Sequence, residues 1–157
     1  MGAFDADRVA LLSIRPEFAR PIFAGRKTVE FRRSRLPGDI TTAVVYATQP
    51  IGLVLGWFRI AGISESTPDG LWRRFRSSGA IDRRAYFDYF DGARRAFGIE
   101  IADPTPLKRP IPLEALLPGL RPPQSFQYLI ADDVSRAIHA RDASRRKQPR
   151  SLPALAA

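Results

Sequence analysis

Apolar residues along the chain follow two spacings, one typical of strands and one typical of short helices. Residues 9–14 form a nearly continuous apolar run, which indicates a strand covered on both faces. Residues 28–33 alternate instead, with Val29 and Phe31 on one face and polar side chains on the other. Further strands are predicted over residues 41–47, 51–63, 96–101 and 126–130. The proline-spaced stretch 104–112 is predicted to be extended.

Helix boundaries are marked by residues that start or stop helices. Pro16 suits the first turn of a helix after the first strand, and Gly25 supplies the left-handed residue that ends it. Two more helices are predicted after the fourth strand, one capped by Thr67 and one starting at Asp82. Helical spacing of the aromatic residues in the second of these helices favours core packing for most of them: Tyr86, Phe87, Tyr89 and Phe90. A last helix over residues 132–147 is basic and weakly amphipathic.

The long apolar strand contains glycines, which inside a strand mark the bends and bulges of a curled sheet. They are Gly52, Gly56 and Gly62. We therefore predict an α+β fold, a small β-barrel of five to six strands with helices at its rim and a basic C-terminal helix. Residues 1–130 are predicted to form the domain, and residues 131–157 a basic helix and tail.

The chain is strongly basic, since it has 25 lysines and arginines but only 16 acidic residues, and its formal net charge is +9. Nearly all of the basic residues are arginines, whose planar guanidinium binds phosphate through two parallel hydrogen bonds. A GC-rich genome is an alternative origin of the arginine bias, but it does not explain the net excess. A strongly basic domain attracts polyanions, so charge alone predicts nucleic acid or an anionic surface as the partner.

The chain has no cysteine and one histidine, His139, near the C-terminus. Disulfides, thiolate metal sites and a cysteine nucleophile are therefore excluded, and a histidine zinc site or a serine–histidine triad is disfavoured. We predict no cofactor, and a divalent metal only in the case that the protein is a nuclease. No signal peptide and no apolar run long enough to span a bilayer is present, so a cytoplasmic location is expected and a membrane partner is not.

One segment carries a motif. Gly25-x-Lys27-x-x-Glu30-x-Arg32, placed after a helix and entering a strand, resembles the signature of the ASCH domain family, within the PUA-like superfold. Residues 13–16, 46–50 and 123–126, the last reading Pro-Gln-Ser-Phe, also resemble bacterial and phage members. The resemblance covers roughly residues 9 to 130. It implies a PUA-like barrel with a cleft lined by the signature, a role in RNA or nucleic-acid binding and, in some members, enzymatic activity. RNA or single-stranded nucleic acid is therefore the predicted partner.

The signature residues have the chemistry of a nucleotide site. Glu30 and Arg32 project from one strand face, so Lys27, Glu30 and Arg32 are predicted to converge on a pocket. There the carboxylate would accept a hydrogen bond from a base edge, and the guanidinium would hold a phosphate. The alternative is an exposed lysine beside an ion network that merely solvates the strand.

Other candidates flank the signature. Gln124 and Ser125 follow two prolines that stiffen the backbone for hydrogen bonds to a base edge, although a capping turn is the alternative. Tyr46 is favoured over Trp57 as a stacking residue, since barrel aromatics are usually core. Flanking arginines suit phosphate contacts unless they are simply solvated. The predicted nucleic-acid-binding residues are Arg15, Lys27, Glu30, Arg32, Arg33, Tyr46, Gln124 and Ser125, and Arg35 is a further flanking arginine.

Three functions remain open at this point. The first is a binding module with a cleft for an unpaired nucleotide. The second is catalysis through Lys27, either as a ribonuclease with Tyr46 and Ser125 and a divalent metal held partly by Glu30, or as a modified-nucleoside hydrolase. ASCH amidohydrolases have a threonine three residues after the lysine, where this chain has Glu30. The third is a regulatory interaction protein, such as a transcriptional regulator or an antitoxin-like component, whose tail docks on an acidic partner.

Overall fold

The structure is a computed structural model that describes residues 4–146. Its elements are β1 (Arg8–Ile14), α1 (Pro16–Phe23), β2 (Val29–Arg32), β3 (Thr42–Ala47), β4 (Leu53–Ser66), α2 (Pro68–Phe75), α3 (Arg83–Tyr89), β5 (Ala96–Ile111), α4 (Leu113–Leu116), β6 (Phe126–Ile130) and α5 (Ala131–Arg146). The α+β class predicted from the sequence is confirmed. None of the described helices is both long enough and apolar enough to cross a membrane.

The six strands form one mixed sheet in the order β2-β5-β4-β3-β1-β6. β1 runs parallel to β3, and every other neighbouring pair is antiparallel. The edge strands β2 and β6 share no backbone ladder within the described residues, so the predicted barrel is present as an open, barrel-like sheet. Arg32 of β2 nevertheless donates hydrogen bonds to Ser125, the residue before β6, so the two edges curl toward each other.

Strand β1, which lies between β3 and β6, is buried on both faces, as its continuous apolar run predicted. Val9 and Leu11 belong to a core cluster that also includes residues of α4 and α5. Leu12 and Ile14 belong to a second cluster on the other face, which includes residues of α1. Burial on both sides explains why this strand shows no alternation of apolar and polar residues.

Strand β2 shows the predicted alternation. Val29 and Phe31 pack into a third core cluster formed with α2 and α3. Because successive side chains of a strand point to opposite faces, Glu30 and Arg32 are directed away from that cluster. All four residues of β2 are buried, so the charged face does not simply meet water.

The predicted helix boundaries have the expected local chemistry. Gly25 follows α1 with a φ of +77°, a left-handed conformation that favours glycine. Thr67 Oγ1 accepts a hydrogen bond from the Gly70 amide at 3.1 Å before α2. Asp82 Oδ1 accepts one from the Ala85 amide at 2.8 Å before α3, so both residues are N-caps.

The long strands β4 and β5 differ from the prediction in one respect. The register between β4 and β5 shifts at three places, after Val54, after Trp57 and after Ile60. The first and the last shift each end at a glycine, Gly56 and Gly62, as expected for glycine-marked bulges. β5 continues as one strand through the proline-rich stretch that the sequence separated from it. Its second half pairs only with β4, and a strand with a free edge tolerates the missing proline amides.

The start of α5 packs against the sheet. Ala131 and Val134 are buried in the cluster that includes Leu113 and Leu116 of α4. The division of the chain at residue 130 stays a prediction. Residues 147–157, which the sequence assigned to the basic tail, lie outside the described residues.

Candidate functional site

A tight turn after α1 places the side chain of Lys27 inside the protein. The amides of Arg26 and Lys27 both donate to the Pro21 carbonyl, at 3.0 and 3.2 Å, so the chain folds back over the end of the helix. Lys27 Nζ then reaches the Phe18 carbonyl at 3.0 Å. Its side chain is only 3% exposed, so Lys27 is not the solvated surface lysine of the alternative interpretation.

The carboxylate of Glu30 lies between two cations. Its Oε2 accepts a hydrogen bond from Lys27 Nζ, and its Oε1 lies 3.5 Å from Arg32 Nη1. All three side chains are less than a tenth exposed. The structure therefore brings together the three residues that the signature predicted to converge. Buried charges require such pairing, because an unpaired ion would lose its hydration without compensation.

Arg32 is hydrogen-bonded to two backbone carbonyls and to two side chains. Its Nη1 donates to the Ser13 carbonyl at 3.2 Å, and its Nη2 donates to the carbonyl and Oγ of Ser125 at 2.6 and 2.9 Å. With the contact to Glu30, the hydrogens on both terminal nitrogens have protein acceptors. The phosphate contact predicted for Arg32 stays a prediction, and it would require one of these bonds to be exchanged.

The segment that carries Gln124 and Ser125 is held at a second point. Ser13 Oγ donates to the Pro123 carbonyl at 2.6 Å, and the Ser13 amide donates to the Ser125 carbonyl at 3.3 Å. Ser125 Oγ accepts from Arg32, which leaves its own hydrogen available to donate. Gln124 is exposed beside it.

A cavity of about 1060 Å³ opens above the buried ion network. Drug-sized ligands occupy pockets of roughly 300–1,000 Å³, so this volume suits a ligand at least as large as a nucleotide. All eight residues predicted from the sequence line it: Arg15, Lys27, Glu30, Arg32, Arg33, Tyr46, Gln124 and Ser125. Their common location is a finding, whereas their contact with nucleic acid stays a prediction.

Residues of this cavity differ in how firmly they are held. Tyr46 is buried apart from its cavity side, and its hydroxyl has no hydrogen-bond partner among the described residues. Arg15 is exposed, and its guanidinium likewise has no partner in the described part of the chain. Both groups are therefore available to a ligand without breaking a protein contact.

The residues that line the cavity include the Lys27, Glu30 and Arg32 signature, and a family model matches the same part of the chain. The ASCH domain model matches residues 12–102, more than half of the chain. The chain belongs to the ASCH domain family. This confirms the resemblance drawn from the signature motif.

Relatives of this ASCH domain support the assignment. The "ASCH domain-containing ribonuclease" of Zymomonas mobilis is 34% identical over 133 residues, which are 82% of this chain and 89% of that protein. The crystal structure of ASCH from Zymomonas mobilis superimposes with a TM-score of 0.76 at 32% identity, covering 83% of this chain and 93% of that one. A serine-to-alanine variant of ZmASCH gives a TM-score of 0.78 at 30% identity, with coverages of 87% and 99%.

Sequence reasoning missed one wall of the ASCH cavity. Ile81, Ala85, Asp88 and Tyr89, all from α3 or just before it, line the cavity. Helical spacing assigned the aromatic residues of α3 mostly to the core, and the spacing alone does not show which of them is left outside. Partial burial raises the pKa of Tyr89, so its hydroxyl stays neutral at physiological pH.

The flanking arginines separate in the structure. Arg33 lines the cavity, and its Nη1 donates to the carbonyls of Tyr89 and Asp91 at 2.8 and 3.0 Å. Arg35 is not among the cavity-lining residues and pairs with Glu65 at 2.5 Å.

Trp57, the disfavoured stacking candidate, packs edge-on against Phe4 instead. Within the described residues, no cluster of three or more histidine, cysteine or acidic side chains is arranged to hold a metal ion.

Proposed function

We propose that this ASCH domain is a ribonuclease that binds single-stranded RNA in the cavity. The observation that carries the proposal is a nucleotide-sized cavity placed over a buried lysine, with a tyrosine and a serine hydroxyl free to donate. The ribonuclease name of the relative from Zymomonas mobilis favours cleavage over binding alone. The net charge of +9 supplies long-range attraction for RNA.

The proposed reaction uses the 2′-hydroxyl of RNA. The 2′-oxygen loses its proton to water in the open cavity and attacks the adjacent phosphorus, while the bond from phosphorus to the 5′-oxygen breaks. Tyr46 gives its proton to the departing 5′-oxygen and is reprotonated by water. Lys27, oriented by Glu30 and the Phe18 carbonyl, stabilises the negative charge that builds up on the phosphoryl oxygens. The products are a 2′,3′-cyclic phosphate and a 5′-hydroxyl.

Ser125 and Arg15 bind the phosphate in this proposal. Ser125 donates its hydroxyl hydrogen to a phosphoryl oxygen while Arg32 fixes the position of its Oγ. Arg15 is exposed on the cavity wall and suits the phosphate of a neighbouring nucleotide. Gln124 offers an amide to a base edge.

The test is cleavage of a fluorescent single-stranded RNA by the wild type and by Lys27→Met, Tyr46→Phe and Ser125→Ala. We expect Lys27→Met to lose about 100-fold or more in rate, as for removal of one charge-stabilising group. Tyr46→Phe should lose roughly 10²- to 10⁴-fold. Lys108→Met, which changes an exposed lysine of β5, is the matched control and should cleave normally.

A second substrate checks the chemistry. An RNA with one 2′-deoxy residue at the cleavage position should resist cleavage there, because the attacking oxygen is missing. Equal cleavage by the wild type and Lys27→Met, or cleavage of the deoxy substrate at that position, would contradict the proposal. Parallel reactions with EDTA and with manganese test the predicted independence of a divalent metal, since loss of activity in EDTA would require a different mechanism.

Two other functions have weaker support. In the amidohydrolase alternative, Glu30 stands where ASCH amidohydrolases have a threonine, and its carboxylate already accepts from Lys27 and Arg32. The regulatory alternative depends on the basic C-terminal segment, of which residues 131–146 form α5 and residues 147–157 lie outside the described residues. RNA binding without cleavage remains the outcome if the cleavage assays fail, and steep salt dependence of affinity would identify it.

A further inference from the structure

Tyr89, at the end of α3, is an aromatic residue that the proposed reaction does not use. Its neighbours Tyr86 and Phe90 are almost completely buried, whereas Tyr89 is 40% exposed and lines the cavity. Its ring packs edge-on against Phe90, with the centroids 4.8 Å apart. One side of the ring is therefore supported by the core while part of its surface remains open to a ligand.

The backbone at Tyr89 is fixed in place. Arg33, directly after β2, donates from Nη1 to the carbonyls of Tyr89 and Asp91. These bonds fasten the end of α3 to the strand that carries the ion network. The backbone that carries the Tyr89 ring therefore does not have to become ordered when a ligand binds, which favours affinity.

We propose that Tyr89 stacks on an unpaired nucleobase and so restricts the cavity to single-stranded RNA. The proposal rests on the proposed function, because that function names RNA as the ligand. An aromatic ring stacks on any of the four bases, so the contact adds affinity without sequence preference. Bases of a duplex are already stacked on their neighbours and cannot meet a ring in the cavity wall. The neutral phenol does not repel the adjacent phosphates.

Exposure alone does not distinguish a stacking residue from an ordinary surface side chain, so a matched residue is needed. Ile130, at the end of β6, is a second large apolar residue of the described chain that is well exposed, at 59%. It does not line the cavity. A change at Ile130 therefore reports what loss of an exposed apolar side chain does when no stacking is involved.

The experiment measures binding of a single-stranded 2′-O-methyl RNA that carries 2-aminopurine, whose fluorescence falls when it stacks. The 2′-O-methyl group blocks the proposed cleavage, so binding is seen separately. Tyr89→Leu keeps apolar bulk without a ring and should weaken binding about 5- to 150-fold and abolish the quenching. Tyr89→Phe should bind and quench like the wild type. Ile130→Ala should change neither, and binding of a duplex RNA should not respond to Tyr89→Leu.

The outcomes separate this inference from the proposed function. Unchanged affinity of Tyr89→Leu, or no quenching by the wild type at any position of 2-aminopurine, overturns the stacking role even if the wild type cleaves RNA. Equal losses in Tyr89→Leu and Tyr89→Phe also overturn it, because the hydroxyl and not the ring would then be responsible. Ring-dependent quenching by a wild type that cleaves no RNA supports stacking and rejects the ribonuclease.

Discussion

The carboxylate of Glu30 is the charge on which two buried cations depend. Glu30→Gln keeps the shape of the side chain but removes its charge, which leaves Lys27 and Arg32 without their shared counter-ion. Their side chains are only 3% and 9% exposed, so water from the cavity can replace little of the lost interaction. We expect this substitution to lower the free energy of unfolding strongly.

The structure sets the size of the effect. Removing one partner of a buried ion pair typically costs about 3–5 kcal/mol, because the remaining charge is left uncompensated. Lys27 keeps its bond to the Phe18 carbonyl, and Arg32 keeps its bonds to Ser13 and Ser125, which offset part of the loss. We therefore expect the lower end, about 3 kcal/mol, and a fall of roughly 6–12 °C in Tm.

The assay is urea and thermal unfolding of Glu30→Gln beside Glu65→Gln. Glu65 is a matched control because it also accepts from two cations, Arg35 and Arg95, but its side chain is 33% exposed. Solvent screens such a pair, so Glu65→Gln should shift the midpoint by only a small fraction of the Glu30→Gln shift. Equal shifts in the two variants would refute the argument that burial makes the Glu30 network important.

Two further predictions concern the third core cluster, which β2 forms with α2 and α3. Burial raises the pKa of Tyr86 to about 12, so its contribution to stability is complete below about pH 10 and is lost as the pH rises through 12. Thermal melts across that pH range should show no such alkaline loss of stability for Tyr86→Phe. At neutral pH this variant should be about 1 kcal/mol less stable, because it lacks the 2.8 Å hydrogen bond from the Tyr86 hydroxyl to the Pro68 carbonyl. An equally steep alkaline loss in the variant would contradict the attribution of that loss to Tyr86. Gly79→Ala would place a methyl group against the Phe31 ring and should cost roughly 1–3 kcal/mol in urea unfolding. Gly38→Ala, where the methyl group meets nothing within 4 Å, is its control, and equal midpoints would show that Phe31 moves aside.

Short-range pattern was sufficient to predict the elements and the direction of the signature side chains. Alternation along β2 separates Val29 and Phe31 from Glu30 and Arg32, and the structure keeps that separation. The burial of the charged face did not follow from the pattern. It depends on Ser125, 93 residues away, whose position relative to Arg32 is set by the curl of the whole sheet.

The same limit applies to residues that look equivalent in the sequence. Arg33 and Arg35 flank the signature alike, yet one lines the cavity and the other pairs with Glu65 of β4. Tyr89 was grouped with the core aromatics of α3, because helical spacing identifies a face but not its end. Such distinctions depend on which element packs next to a residue, and that is a property of the tertiary fold.

The hydrogen bonds of Arg32 hold the fold together whether or not a ligand is bound. This guanidinium joins opposite margins of the sheet, and Glu30 neutralises it, so both residues would be under selection in a descendant that had lost every ligand. The presence of the motif then indicates that the fold is intact, but it does not indicate that the protein is catalytically active. Divergence in activity among such descendants is better sought at groups that the scaffold does not need, such as the hydroxyl of Tyr46 and the guanidinium of Arg15.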